Sequence, residues 1–305
     1  MQGTIAQIVA LVLFGNQYLS GTPVTDFWPN SSIFQFDATV RFVILSGQRA
    51  TRVETEIAPD PMAWFEWLKA EGIIGLRLHF APKSKTLKED RMQAGFVGGG
   101  GRWVIEAIRD TQISDFWEAR WQLGDRNAPD RKIWNVTYVR IAERDNRRAE
   151  IEPPLAKLQA DIDKVLGDIA TFADQHEKAQ FAASFRRGQE LLHDEHPLAE
   201  GYHSEFVRSS RLSLAAAQLL GTAVAAWVFG GMGSWNDMSF KGEEQKQYDE
   251  LSDALFVLLA RAITASANST LPGAALQQPT AAPDPLAPTK PAEQRGWLWR
   301  LLGRG

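Results

Sequence analysis

Three histidines, His193, His196 and His203, lie in one short segment together with several carboxylates. The carboxylates are Asp194, Glu195 and Glu200, with Glu190 just before them. Imidazole and carboxylate groups are common zinc ligands, and a catalytic zinc site uses three protein ligands. The first two histidines are three positions apart, however, whereas the zincin motif spaces its histidines by four so that both lie on one helix face. The segment therefore predicts either a metal-dependent hydrolase site or polar helix-end residues in solvent.

A glycine-rich loop, Gly230 to Asp237, is the most distinctive local sequence of the chain. Its glycines would let the backbone approach a ligand or partner closely, while Trp235 stacks on it. Asn236 and Asp237 would supply hydrogen bonds or act as acid–base groups. The alternative is a structural turn, in which Gly230 caps a helix and Trp235 packs over the end of a bundle. The loop is not a phosphate-binding Walker loop, because no Gly-Lys-Ser/Thr follows it.

The C-terminal residues 295–305 form a short basic and aromatic peptide in which Trp297, Trp299 and Arg300 are the candidate contact residues. Residues 269–294 before it are rich in Pro and Ala and predict a disordered linker, since they contain too little apolar surface to offset the entropy of ordering. Apolar residues on such a tether indicate docking. The peptide would bind a protein partner, a groove on the chain's own body or an anionic membrane surface.

Composition excludes several classes of protein. The net charge is −4, which argues against a nucleic-acid partner because binding to the phosphate backbone requires a basic surface. The chain has no cysteine, which excludes disulfides, thiolate metal sites and a cysteine nucleophile and fits a cytoplasmic location. The apolar run from Ile5 to Phe14 has no basic residue before it, so it favours a buried strand or helix over a secretory signal.

The N-terminal part reads as strands. Apolar and polar residues alternate over 34–44 and 52–57, with Gly47 and Gln48 between the two runs, which predicts a β-hairpin. Further alternating strands are predicted at 74–80, 102–109, 116–123 and 133–142. Asp60 as N-cap, Pro61 and a stop at Gly72 predict a short helix between the second and third strands. The basic stretch Lys83 to Arg91 is expected to be a loop, and clean alternation favours an antiparallel sheet.

The C-terminal part reads as helices. Apolar spacings of three and four from Leu155 to Phe172 predict an amphipathic helix, and a second helix is expected to end near Leu192. Residues 204–229 predict an Ala-rich buried helix, although the uncharged run 212–232 is long enough to span a membrane. A last helix is expected to end near Asn268.

The sequence thus predicts an α+β protein with an N-terminal antiparallel sheet and short helix, a C-terminal antiparallel helical bundle and a disordered Pro/Ala-rich tail. The predicted segments are a β-rich domain at 1–148, a bundle at 149–268, a linker at 269–294 and the peptide at 295–305. The leading functional hypothesis is a cytoplasmic, non-enzymatic binding or adaptor protein with a protein partner and no cofactor. The alternatives are a metal-dependent hydrolase that uses His193, His196 and His203, and a peripheral membrane protein anchored by its C-terminal peptide.

Overall fold

The computed structural model describes residues 1–47, 52–109, 113–145, 153–199, 203–209 and 211–273. Within these residues the chain forms one six-stranded sheet and seven α-helices, which confirms the α+β fold. The helices are α1 (Gly3–Leu19), α2 (Pro61–Ala70), α3 (Leu87–Gln93), α4 (Leu155–Gln175), α5 (Ala179–Leu191), α6 (Leu214–Ala225) and α7 (Gly242–Asn268). The strands are β1 (Asp37–Ser46), β2 (Val53–Ala58), β3 (Ile73–Ala81), β4 (Arg102–Arg109), β5 (Ser114–Leu123) and β6 (Trp134–Asp145).

The sheet is mixed, so the prediction of a purely antiparallel sheet was wrong. Its strand order is β2-β1-β6-β5-β4-β3, and β1 pairs with β6 in parallel while the other pairs are antiparallel. The predicted hairpin of β1 and β2 is present. After it, α2 carries the chain to the far edge, and the meander from β3 to β6 returns to β1 in the parallel sense. The alternation of apolar and polar residues indicates which face of a strand is buried, but it contains no information on whether neighbouring strands run parallel or antiparallel.

The inner face of the sheet packs against α1, which is buried almost all round from Ile5 to Gln17. Leu76, Ile105 and Trp117 from this face join the same apolar core as α1. The run that begins at Ile5 is therefore a core helix. The α2 helix begins as predicted, because the Asp60 side chain accepts a hydrogen bond of 2.9 Å from the backbone N–H of Ala63.

The stretch Lys83 to Arg91 contains α3, so the prediction of a loop was wrong. The side chain of Thr86 accepts a hydrogen bond of 3.2 Å from the backbone N–H of Glu89, which caps this helix. The spacing Thr-x-x-Glu is the signature of a capping box. The Arg91 side chain is fully buried and pairs with Asp249 at 3.2 Å and with Asp253 at 2.8 Å, both on α7. The four basic residues Lys83, Lys85, Lys88 and Arg91 made the stretch look like a polar loop, although the helix begins at Leu87.

The bundle consists of α4, α5, α6 and α7, with α6 packed against the other three. The buried helix is shorter than predicted, because Ser213 caps it and it ends at Ala225. Residues Ser204–Arg208 form a separate 3-10 helix. None of the helices within the described ranges has the length and apolar character that crossing a membrane requires.

The C-terminal end of α7 lies against β3, the edge strand of the sheet. The Asn268 side chain pairs with the backbone of Leu78, accepting from its N–H at 2.6 Å and donating to its C=O at 3.0 Å. Asn16 of α1 does the same at Leu76, at 2.7 and 2.9 Å. The two asparagine side chains thus make hydrogen bonds to the free edge of β3 that a further strand would otherwise make.

The division at residue 148 remains a prediction. The described residues include the first five positions of the predicted linker, 269–273, where Thr270 and Leu271 are buried. The rest of the linker and the peptide lie outside the described residues.

Candidate functional site

A cavity of about 330 Å³ opens beside the N-terminus of α1, at the end of the sheet where the parallel strands β1 and β6 begin. Its lining residues are Gln2, Gly3, Thr4, Ile33, Phe36, Asp37, Gly95, Val97, Trp121 and Trp134. The indole rings of Trp121 and Trp134 meet edge to face at a centroid distance of 6.2 Å. The volume lies at the small end of the range for ligand pockets, which are mostly apolar with a few fixed polar groups.

The ionisable residue of the cavity lining is Asp37, whose side chain is buried. Its Oδ2 accepts a hydrogen bond of 2.5 Å from the Gln7 side-chain amide. The amide oxygen of Gln7 in turn accepts a hydrogen bond of 2.9 Å from the Tyr138 hydroxyl. Gln7 and Tyr138 are both fully buried, so this chain of hydrogen bonds holds the carboxyl group in one position.

Burial governs the ionisation of Asp37. Loss of solvation raises its pKa from 3.8 to about 7, against the opposing effects of the hydrogen bond from Gln7 and the positive charge of Lys132. A carboxyl group with this pKa changes its charge near neutral pH. Asp37 can therefore accept a hydrogen bond from a ligand when ionised and donate one when protonated.

The N-terminus of α1 adds unpaired backbone donors to the cavity lining. Gln2 occupies the N-cap position, but no side chain caps the helix there. The first N–H groups of a helix have no intrahelical acceptor, and they carry a partial positive charge. Gly3 and Thr4, which line the cavity, belong to this first turn.

Exposed apolar side chains surround the mouth of the cavity. Phe36 and Val97 of the lining are 42% and 44% exposed, and Phe96 between the lining residues Gly95 and Val97 is 65% exposed. Met232, on the neighbouring loop, is exposed along its whole length. We call Phe36, Phe96, Val97 and Met232 the apolar rim. Single exposed apolar residues are common, but a group around one cavity indicates an interaction surface.

The lack of a side chain at Gly95 allows the loop that carries Phe96 and Val97 to contact the loop that carries Met232. A Cβ atom on Gly95 would lie 2.4 Å from the backbone C and O atoms of Gly230 and 2.6 Å from the backbone N of Gly231. No side chain fits into that contact, so residue 95 must be glycine for the loops to touch. The close approach that the sequence suggested for this glycine-rich loop is therefore made to another loop of the same chain.

The predicted binding residues Trp235, Asn236 and Asp237 form a short 3-10 helix after this loop. Trp235 is fully buried, and its indole N–H donates to the Ser252 hydroxyl at 2.8 Å. Asn236 is buried and donates to the backbone oxygen of Arg91 at 2.9 Å. Asp237 is exposed and accepts a hydrogen bond from the backbone N–H of Gly233. The first two residues thus hold the end of the bundle together, and ligand binding by the three residues remains a prediction.

His203 lies in different surroundings from the other two predicted metal ligands. His193 and His196 are exposed beyond the end of α5. His203 is partly buried, with Nε2 3.3 Å from the backbone oxygen of Met1, and loss of solvation lowers its pKa. Across the described ranges, which leave out Glu200, no group of three histidine, aspartate or glutamate side chains is arranged to hold a metal ion. Metal binding remains a prediction without geometric support.

Sequence reasoning did not identify Asp37 as a site residue. Strict alternation places it on the polar face of β1 with Thr39 and Arg41. The register between β1 and β6 shifts between Asp37 and Thr39, however, and such a bulge turns a side chain to the other face. Trp121 and Trp134 lie on either side of the turn between β5 and β6, and this pair of aromatic residues is a sequence signal that could have indicated the cavity. The predicted contact residues Trp297, Trp299 and Arg300 lie beyond the described residues.

Comparison of the chain with protein-family models, with curated proteins and with solved structures gave no match.

Proposed function

We propose that this chain is a non-enzymatic binding protein that takes an apolar side chain of a protein partner into the cavity. The observation that carries the proposal is the aromatic cavity enclosed by the exposed apolar rim. A small molecule would fill the cavity and leave the rim in water. A protein partner would place one anchor side chain in the cavity against Trp121 and Trp134 and cover the rim, which is the usual arrangement of an interface hot spot.

The polar groups of the cavity support binding rather than catalysis. Among the lining residues, Asp37 supplies the ionisable side chain, and its partner Gln7 has no acid or base function. An activated nucleophile is paired with a base within hydrogen-bond reach, whereas Asp37 is hydrogen-bonded to the Gln7 amide. A single positioned carboxyl group is suited to orienting a polar group of the anchor. The proposed cytoplasmic location rests on the cysteine-free sequence.

The rim is tested with the double variant Phe96→Ser/Met232→Ser, which removes exposed apolar surface without changing the core. We expect proteins captured by the wild-type chain from native lysate to be lost with this variant. The matched control is Val53→Ser, because Val53 is 60% exposed on β2, an edge strand outside the rim. Equal capture by the wild type and the rim variant would refute the role of the rim.

The cavity is tested separately with indole as the smallest model of an aromatic anchor. Titration with indole is expected to shift the NMR signals of the Trp121 and Trp134 side-chain N–H groups before those of other tryptophans. The Trp121→Leu variant should weaken binding at least about fivefold, since one aromatic contact contributes about 1 kcal/mol or more. Unchanged Trp121 and Trp134 signals would exclude this cavity as an anchor site.

A further inference from the structure

Asp37 is a buried carboxyl group that has no ion pair within the described ranges of the chain. The other buried carboxyl groups of these ranges are all compensated. Glu106 and Asp115 each pair with an arginine, at 3.0 and 2.9 Å. Asp90 accepts hydrogen bonds of 2.8 and 2.9 Å from two backbone N–H groups. Buried charges in proteins are normally paired, so the positive partner of Asp37 is missing from the chain itself.

One oxygen of the Asp37 carboxyl group is left for a ligand. Gln7 donates its hydrogen bond to Oδ2, and no donor among the described residues reaches Oδ1. Oδ1 does not belong to the fully buried polar atoms that lack a partner, so it is open to the cavity that Asp37 lines. An ionised carboxylate accepts hydrogen bonds at both of its oxygens. A donor group that enters the cavity therefore finds a fixed and unused acceptor.

The aromatic lining of the cavity suits a positively charged donor. Trp121, Trp134 and Phe36 contribute their rings to the lining. A cation near the face of an aromatic ring is attracted by the ring electrons, and ammonium ligands are recognised by such aromatic walls. Arg131 makes this contact at the mouth, where its guanidinium carbon lies 5.7 Å from the centroid of the Phe36 ring. A carboxylate adds a charge-assisted hydrogen bond to the same kind of ligand.

The charges of the chain around Asp37 do not supply the missing partner. Lys132 favours the ionised carboxyl group from a distance, yet the pKa of Asp37 is still raised to about 7 by burial. The first turn of α1 carries about half an elementary positive charge, which opposes a bound cation less than a full negative charge on Asp37 attracts it. The Tyr138 hydroxyl, which reaches Asp37 through Gln7, stays neutral because burial raises its pKa. A full positive charge at Oδ1 would therefore stabilise the ionised form of Asp37.

We propose that the cavity recognises an alkylammonium group, the chemical class of the lysine side chain, which donates a hydrogen bond to Oδ1 of Asp37 beside the aromatic rings. This inference rests on the proposed function, because the same cavity receives the anchor of the partner. A lysine side chain has an apolar stem of methylene groups and a charged end. The stem is then the apolar part of the anchor, and the ammonium group is the polar part that Asp37 orients. The net charge of −4 favours the approach of a basic partner.

The test compares two probes with the same stem, n-butylammonium and the neutral 1-butanol, on the full-length protein at constant ionic strength. The NMR signals of the Trp121 and Trp134 side-chain N–H groups report binding. At pH 8 we expect butylammonium to bind at least about fivefold more tightly, because it adds a full charge to the same stem. Its affinity should fall about tenfold from pH 8 to pH 6, where Asp37 is mostly protonated, while the affinity for 1-butanol stays constant. Equal affinities for the two probes at pH 8 would overturn the proposal.

The role of Asp37 is tested with Asp37→Asn, which keeps the size of the side chain and removes its charge. This variant should lose both the preference for butylammonium and its pH dependence. The matched control Asp161→Asn makes the same change in net charge on the surface of α4 and should bind as the wild type does. A preference that survives in Asp37→Asn, or that is lost in the control, would overturn the proposal.

Indole separates this inference from the proposed function. Shifts of the Trp121 and Trp134 signals with indole, but no preference for butylammonium over 1-butanol, would overturn the alkylammonium group and leave the anchor cavity in place. Unchanged signals with all three probes would refute both.

Discussion

At the residue scale, Asp37 couples folding of the chain to pH. Its carboxyl group is ionised in the unfolded chain above pH 3.8, whereas in the folded protein burial raises the pKa to about 7. Between these two values the folded state holds a proton that the unfolded state has released. The contribution of Asp37 to the free energy of unfolding is therefore greatest below pH 3.8 and is lost as the pH rises through 7.

We predict that Asp37→Asn removes this part of the pH dependence, because the amide keeps the size of the carboxyl group and has no charge. The difference of about three pH units corresponds to up to roughly 4 kcal/mol at about 1.4 kcal/mol per unit. Above pH 7 the variant should therefore be more stable than the wild type. Urea unfolding between pH 4 and pH 8 measures the difference.

The control for this experiment is Asp161→Asn on the surface of α4, where the carboxylate is 45% exposed and pairs with Lys157. Its stability is expected to follow the wild-type pH curve. If the Asp37→Asn curve also follows the wild-type curve between pH 4 and pH 7, burial does not set the ionisation of Asp37.

At the element scale, α1 and α7 complete the open edge of the sheet. An edge strand exposes unpaired backbone groups that must be covered or protected. Asn16 and Asn268 each satisfy one N–H and one C=O of β3, at Leu76 and Leu78. The pairing also fixes the C-terminal end of α7, so a helix that belongs to the bundle in sequence is attached to the sheet.

We predict that Asn268→Ala lowers the free energy of unfolding by about 2–4 kcal/mol. The substitution leaves the N–H and C=O of Leu78 buried without their partner, and each unsatisfied group costs about 1–3 kcal/mol. Urea denaturation measures the loss. Asn127→Ala in the exposed turn between β5 and β6 serves as the control, with an expected change within about 0.5 kcal/mol. A loss at position 268 no larger than in this control would show that the edge contact contributes little.

At the scale of the whole molecule, one apolar core joins the sheet and the bundle. Leu76 and Trp117 of the sheet, Val9 of α1 and Leu259 of α7 are buried in the same connected group of residues. Arg91 adds a buried ion-pair network between α3 and α7. Residues far apart in sequence therefore depend on one another for burial, and this favours cooperative unfolding.

We predict that the sheet and the bundle unfold in a single thermal transition although the chain is long enough for two domains. Differential scanning calorimetry should give equal calorimetric and van't Hoff enthalpies, because neither part keeps its core when the other unfolds. Two resolved transitions, of which only one moves to lower temperature in a core variant of α4 such as Leu166→Ala, would instead support two independent domains.

Local sequence determined the elements whose signals lie within a few neighbouring residues. Asp60, Pro61 and Gly72 were sufficient to predict α2, and alternation placed all six strands within three residues of their ends. The helix α6 was predicted as buried but too long. Ser213 caps its start, and at the other end the apolar composition continues from Ala226 to Phe229 although the helix ends at Ala225. The helix α3 was missed because the ion-pair partners of its buried Arg91, Asp249 and Asp253, lie on α7, more than 150 positions away.

The sequence alone established an α+β protein with a strand-rich first half, a helical second half and a C-terminal tail of different composition. Those features follow from periodicity and composition, which are local properties of the chain. Only the tertiary structure decided the parallel pairing of β1 with β6, the inward position of Asp37 and the aromatic cavity beside α1. Strand direction, a bulge and burial depend on contacts between distant residues, and a single sequence contains no record of which distant residues meet.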